Sequence, residues 1–283
     1  MNNLDTLIEN GLVVTENEIG HLNIGIKDGK IAYLGDENIN AEFKINASDL
    51  IVLPGGIDPH VHVDQPSGDD VIMADNFQSA TKSAAAGGNT TILPFAMQIK
   101  GQSLRKCVED YHKKAQGNMY IDTSFHLIIS DPTPQVLGQE LPALSKDGYT
   151  SFKVFMTYDD LVLNDKELIE VFDVAKQLKT LVMVHAEGYD SIKYLSDKFE
   201  KEGKTAPYYH APTRPQIVER EATHRAISHA QIVDIPLMIV HVSGEEALNQ
   251  IRWAKDKGIK VFSETCPQYL SLIHISEPTR PVV

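Results

Sequence analysis

The sequence predicts an α/β fold built on a parallel sheet, and three observations predict it. From about residue 50 onward, short apolar runs alternate with longer amphipathic stretches, the order that parallel strands joined by helical crossovers produce. Several of the amphipathic stretches begin with a polar residue and end with glycine, as helix caps prefer. Histidines fall at the ends of the apolar runs, where α/β folds collect their chemistry.

The elements follow in order. Residues 1–50 read as a small β unit. "TLIENGLVVTE" carries Asn10-Gly11 and "LNIGIKDGKIAYLGD" carries Asp28-Gly29 between alternating apolar residues. Both dipeptides tolerate the positive φ of tight turns, so both predict hairpins. The unit is too small for a core of its own. Strand candidates then occupy 50–57, 90–95, 123–129, 151–156, 181–184, 236–240 and 260–264. Helical stretches lie between them: "ADNFQSATKSAAAGG", "SLRKCVEDYHKKAQG", "NDKELIEVFDVAKQLK", "VEREATHRAISHAQIV" and "EEALNQIRWAKDKG". These seven strands are one short of a (β/α)8 barrel, which takes about 250 residues. An open doubly wound sheet fits the same alternation. No internal repeat and no glycine-rich phosphate loop is present in the sequence.

Composition narrows the function. The 283 residues carry a net charge of −13, which argues against nucleic acid or an anionic membrane as partner. Cys107 and Cys266 do not make a disulfide framework, so a reducing cytosol is the simpler expectation. The N-terminus has no basic stretch followed by an apolar core, so no signal peptide is expected. No apolar run reaches the ~20 residues of a membrane helix. The expected location is the cytoplasm.

The chemistry lies in "LPGGIDPHVHVDQPSG", residues 53–68. Alternate residues of an extended strand face the same way, so His60 and His62 can close on one ion. His185 ends the fifth strand in "LVMVHAEGYD", His241 ends the sixth in "LMIVHVSGEE", and Lys153 sits inside the fourth in "TSFKVFMTYDD". Four imidazoles exceed what one catalytic metal takes while keeping a position open for water. Two metals sharing the set is the better fit, with a bridging anion required between them. Lys153 could serve only if deprotonated or converted to an anion. A lone strand-end histidine is more often a hydrogen-bonded structural residue, and a strand lysine can reach solvent along its stem. Four histidines and a lysine in register on successive strands outweigh those readings. His112, His126, His210, His224 and His229 read as structural or surface residues.

At these residues the chain resembles the cyclic amidohydrolases of the dihydropyrimidinase/hydantoinase family. "PGGIDPHVHVD", "TSFKVFMTYDD", "VMVHAEGYD", "IVHVSGEEA" and "SETCPQYL" carry the resemblance, which runs from about residue 5 to about residue 270. Gly188 departs from it, where many members have Asn. The resemblance implies a (β/α)8 TIM-type barrel, seven of its eight strands present, with a small β-sandwich portion at the N-terminus. It implies three segments: a β-sandwich portion over 1–50, an incomplete metal-dependent hydrolase barrel over 51–270, and a non-family tail over 271–283. It further implies two Zn2+ ions bridged by an N-carboxylated Lys153, and metal ligands His60, His62, Lys153, His185 and His241. Tyr158 is implied to hold the substrate, a small cyclic ureide, and the loop over 64–72 to shape its pocket. The implied assembly is a homo-oligomer, a tetramer or dimer, with no nucleic-acid or membrane partner. Dihydroorotase-like members usually carry arginine soon after the H-x-H, where Val63, Asp64 and Gln65 stand here. An allantoinase- or dihydroorotase-like cyclic amidohydrolase and a non-enzymatic scaffold of the same fold are the alternatives. The eighth strand, with the aspartate that the family uses for proton transfer, has no counterpart after Leu270. "SLIHISEPTRPVV" resembles a translated sequencing-adapter read-through or the end of a short isoform. The 283-residue chain alone is therefore expected to be inactive.

Overall fold

The structure is a computed structural model describing residues 4–67, 71–267 and 269. The expectations for the tail at 271–283, and for the middle of the 64–72 loop, lie outside those residues. The chain divides into two compact units. One runs through Ile57 and includes Gly88–Thr91; the other comprises Asp58–Gly87 and the chain from Ile92 onward.

The first unit is a sheet of β1 (Leu4–Val14), β2 (Ile19–Lys27), β3 (Lys30–Gly35), β4 (Ala41–Asn46) and β5 (Ile51–Val52), in the order β3-β2-β1-β4 with β5 also paired to β1. Asp28-Gly29 is the expected hairpin turn between β2 and β3, with φ of +51° and +71°. Asn10-Gly11 is not a turn. It is a bulge inside β1, where Asn10 has φ +69° and the register to β2 shifts between Ile8 and Gly11. The positive φ that suits a hairpin suits a bulge equally. Packing explains the glycine, since a Cβ on Gly11 would lie 2.6 Å from Val52 Cγ2.

The second sheet contains β6 (Gly56–Val61), β7 (Asn89–Met97), β8 (Asp122–Thr123), β9 (His126–Ile128), β10 (Ser151–Phe155), β11 (Leu181–His185), β12 (Leu237–Ile239) and β13 (Val261–Ser263). Its order is β13-β12-β11-β10-β9-β7-β6, with β8 beside β7. The pairings of β7 with β9 and of successive strands from β9 to β13 are parallel. This is the seven-stranded arc of a (β/α)8-type barrel. The candidate at 50–57 resolves into β5 and β6, so the first strand of the arc runs six residues, through His60 to Val61. The interruption falls at Pro54, which cannot donate to a ladder.

Helices α1 (Phe77–Ala86), α2 (Leu104–Ala115), α3 (Leu141–Lys146), α4 (Asp165–Leu178), α5 (Tyr189–Lys201), α6 (Gln216–Val233) and α7 (Glu245–Asp256) connect the strands. Capping sets several starts. Asn164 and Glu167 exchange side-chain-to-backbone hydrogen bonds of 3.0 and 2.9 Å at the head of α4, and Asn76 with Ser79 does the same for α1. Such boxes satisfy donors that a helix start leaves free.

Strand alternation sorts the side chains of the arc into two layers. Phe152, Val154, Val182, Val184, Leu237 and Ile239 belong to the large buried cluster that also takes in Leu168, Phe172, Ala226 and Ile251 from the helices. Phe95, Ile128, Phe155, Met183 and Val240 form a separate cluster on the opposite, inner face. Burying each large apolar side chain stabilises the fold by about 1.5–3 kcal/mol. The inner cluster is small, which leaves room on that face for polar groups.

Candidate active site

Alternation decides which polar residues join the inner face. On β10, Phe152 and Val154 face the helices, so Lys153 points inward beside Phe155. On β11, Val182 and Val184 face the helices, so His185 points inward two residues after Met183. After Pro59, Val61 packs against the helix-facing cluster and Val63 belongs to it, which turns His60 and His62 inward. His241 breaks the pattern. Two residues after helix-facing Ile239, it lies beyond the end of β12, and period two would turn it outward. Its backbone has φ +39°, and with that left-handed residue the ring turns back to the inner face. A non-glycine residue held there is strained, and such strain gathers at functional sites. Glu219 on α6 holds the segment after His241. Its carboxylate accepts hydrogen bonds from Ser243 N (2.9 Å), Gly244 N (2.7 Å) and Ser243 Oγ (3.0 Å).

The imidazoles are thus brought together. Ring centres of His60 and His62 are 5.5 Å apart, those of His60 and His241 5.5 Å, and those of His185 and His241 4.5 Å. His62, Lys153, His185 and His241 line one cavity of about 500 Å3, together with Gln65, Tyr158, Glu187, His210, Arg214 and Tyr269. Burial pushes the His62 pKa down to about 4 and the His241 pKa down to about 2, and it lowers that of His185. The rings are therefore neutral near neutrality, the state in which imidazole binds metal.

Lys153 is 1% exposed, its Nζ has no hydrogen-bond partner among the described residues, and it lies 5.0 Å from the ring centres of both Phe95 and Phe155. Burial draws its pKa down to about 7. A buried amine without a partner is costly and rare.

Among the described residues, no three His, Cys, Asp or Glu side chains stand in metal-holding geometry. Neighbours engage the ring nitrogens instead. His60 Nδ1 meets Glu264, His62 Nδ1 meets Gln65 Oε1 at 2.8 Å, and His185 Nε2 meets Glu187 at 2.7 Å. Each contact occupies one ring nitrogen. The donor set, with an unpartnered lysine among imidazoles held by two carboxylates and an amide, fits a metal cofactor better than an apolar ligand.

Tyr158 stands past the end of β10 with φ +72°, its ring centre 5.2 Å from that of His185, and burial raises its pKa. It keeps a protonated hydroxyl at the cavity wall. Glu187 and Arg214 escaped the sequence reading, Gln65 falls within the 64–72 loop implied to shape the pocket, and His210, read there as structural or surface, lines the cavity. Arg214 lies 3.9 Å from Glu187 and 3.3 Å from His210 Nδ1. Only Glu187, two residues after His185, carried a local signal. His126 is buried beneath the site, bonded to Ser151 Oγ at 2.5 Å and Pro59 O at 2.8 Å. Gly188, at the start of α5, lies where a Cβ would be 2.2 Å from Glu221 Oε1, so a side chain there would have to displace that carboxylate.

Known proteins are similar to this chain over most of its length. The D-hydantoinase of Ralstonia pickettii is 46% identical over 270 residues, 95% of this chain and 59% of that protein. The D-hydantoinase of Geobacillus stearothermophilus is 47% identical over 271 residues, 94% of this chain and 57% of that protein. A solved D-hydantoinase superposes with a TM-score of 0.92 at 45% identity, covering 98% of this chain and 60% of that one. The dihydropyrimidinase from Brevibacillus agri gives 0.90 at 41% identity, with the same coverage. The chain thus spans about 60% of the length of these relatives. The amidohydrolase family profile matches residues 51–265, β5 and the whole arc from β6 to β13, and the chain belongs to the amidohydrolase family.

Proposed function

We propose that the whole protein hydrolyses a cyclic amide or ureide ring, a dihydropyrimidine or hydantoin, to an N-carbamoyl amino acid. Two zinc ions would be held by His60, His62, His185, His241 and an N-carboxylated Lys153. The observation that carries the reading is Lys153, a buried amine without a partner among the described residues, on the face that gathers four imidazoles. Its neutral form can add to dissolved carbon dioxide. The nitrogen lone pair forms an N–C bond, one C=O π pair moves to oxygen, and one amine proton leaves to solvent. The product is a carbamate anion, which removes the clash between an ammonium and two cations.

Bound zinc would lower the pKa of water and polarise the ring carbonyl. The remaining work falls to the chain. Glu264, Gln65 and Glu187 orient the imidazoles. Tyr158 donates its hydroxyl proton in a hydrogen bond to the oxygen on which charge develops. Phe95 and Phe155 keep water from the lysine. Arg214, in the cavity wall, supports a second reading, a ring that bears a carboxylate such as dihydroorotate.

The free cysteines suit a reducing cytosol, and the assembly would be a dimer or tetramer. No helix among the described residues is long and apolar enough to cross a membrane. The test is metal analysis of the purified protein, followed by assays on dihydrouracil, hydantoins, allantoin and dihydroorotate. Two zinc ions per chain and ring opening of the first two are expected. A protein without stoichiometric metal would be a scaffold and would refute the reading.

A further inference from the structure

We infer that Gln65 is a positioning residue that sets the tautomer of His62 and so decides which ring nitrogen faces the cavity. The inference rests on the metal reading above for its use, though not for its geometry.

Two contacts of one amide carry it. Gln65 Nε2 lies 3.1 Å from Phe95 O, and Gln65 Oε1 lies 2.8 Å from His62 Nδ1. A backbone carbonyl only accepts, so the amide must turn its NH2 toward Phe95. Its carbonyl oxygen is then left for the histidine. An amide oxygen only accepts as well, so His62 Nδ1 must carry the hydrogen. The Nε2 lone pair is therefore free. Rotation of the ring is restrained by Phe95, on which it stacks at 4.9 Å with planes 20° apart. Phe95 thus fixes the histidine twice, through its ring and, by way of Gln65, through its carbonyl.

Gln65 is itself held. Asp64, just before it, has φ +53°, and its backbone N–H donates to Asp75 O at 3.1 Å. Lys114 on α2 donates to Asp64 O at 2.6 Å and reaches its carboxylate at 3.3 Å. The loop after the H-x-H is thereby pinned from the helix layer, and the amide has little freedom to flip. The arrangement also distinguishes His62 from its neighbours. His60 and His185 are oriented by carboxylates and His62 by a neutral amide.

The test reads the tautomer directly in the metal-free chain. Long-range 15N–1H correlation spectra of 15N-histidine-labelled protein separate Nδ1–H from Nε2–H rings, and His62→Asn identifies the resonances by their loss. Wild type should show His62 as Nδ1–H. Gln65→Met, which cannot accept a strong hydrogen bond, should show a mixture or Nε2–H. Gln65→Glu, which keeps an acceptor, should retain Nδ1–H. A second readout is zinc affinity by chelator competition, where Gln65→Met should lose about 10-fold and Gln65→Glu much less. An Nε2–H ring in wild type, or an Nδ1–H ring unchanged in Gln65→Met, overturns the inference; the wild-type spectrum decides even if the Met variant does not fold. The predicted tautomers in a chain that binds no zinc would leave the role of Gln65 standing and refute the proposed function instead.

Discussion

Replacing Lys153 by methionine separates the stability of the metal-free protein from its capacity to bind metal. Lys153 is buried with no partner for Nζ, and burial brings its pKa from 10.5 to about 7. Below the folded pKa both folded and unfolded chains carry the proton, and the desolvation penalty is fully present. Between the two values the unfolded chain binds the proton and the folded chain does not, so stability rises with pH across that window. At 1.36 kcal/mol per pKa unit, the gain between pH 7 and pH 9 from this group is about 2 kcal/mol. Methionine removes the titrating group while filling similar volume, and its sulfur can pack on Phe95 and Phe155. The assay is urea unfolding of chelator-treated, bicarbonate-free wild type and variant at both pH values. The difference between the proteins cancels all other titrations. The variant should be more stable at pH 7, and its advantage should shrink by about 2 kcal/mol at pH 9. It should bind no bridged metal pair. Parallel pH profiles for the two proteins would refute the placement of an uncompensated lysine on the inner face.

Two further outcomes are expected. Tyr158→Phe in the whole enzyme should leave zinc content unchanged and lower kcat roughly 100-fold, as removing one oxyanion donor does; steady-state kinetics with metal analysis checks both. Asn164→Ala removes the side-chain half of the box that starts α4, and should destabilise the chain by about 1 kcal/mol, read from the urea midpoint at unchanged slope.

Much of the fold was legible because its signals are local. The apolar runs at 151–156 and 181–184 became β10 and β11, since buried parallel strands need unbroken apolar sequence. "NDKELIEVFDVAKQLK" became α4, because its cap and its apolar spacing agree. Asn10-Gly11 misled, because a positive φ serves a bulge as well as a turn and only pairing with β2 distinguishes them. The first strand was placed too early, because the apolar run 50–57 serves two strands with Pro54 between them.

The candidate site divides the same way. His60 and His62 could be expected on one face from strand alternation, since side-chain direction along a strand has a period of two, and Lys153 and His185 were placed beside them by the strands they sit on. The sequence by itself thus determined the parallel α/β class, the residue types of the candidate site and the shared face of His60 and His62. The direction of His241 was the tertiary structure's to decide, because a backbone at φ +39° overrides the alternation. So were the partners that orient the rings. Glu264 lies 204 positions from His60 in sequence, and Arg214 reaches Glu187 from beyond α5. No local pattern encodes a contact across such a separation; it exists only once parallel strands bring their C-terminal ends to one rim.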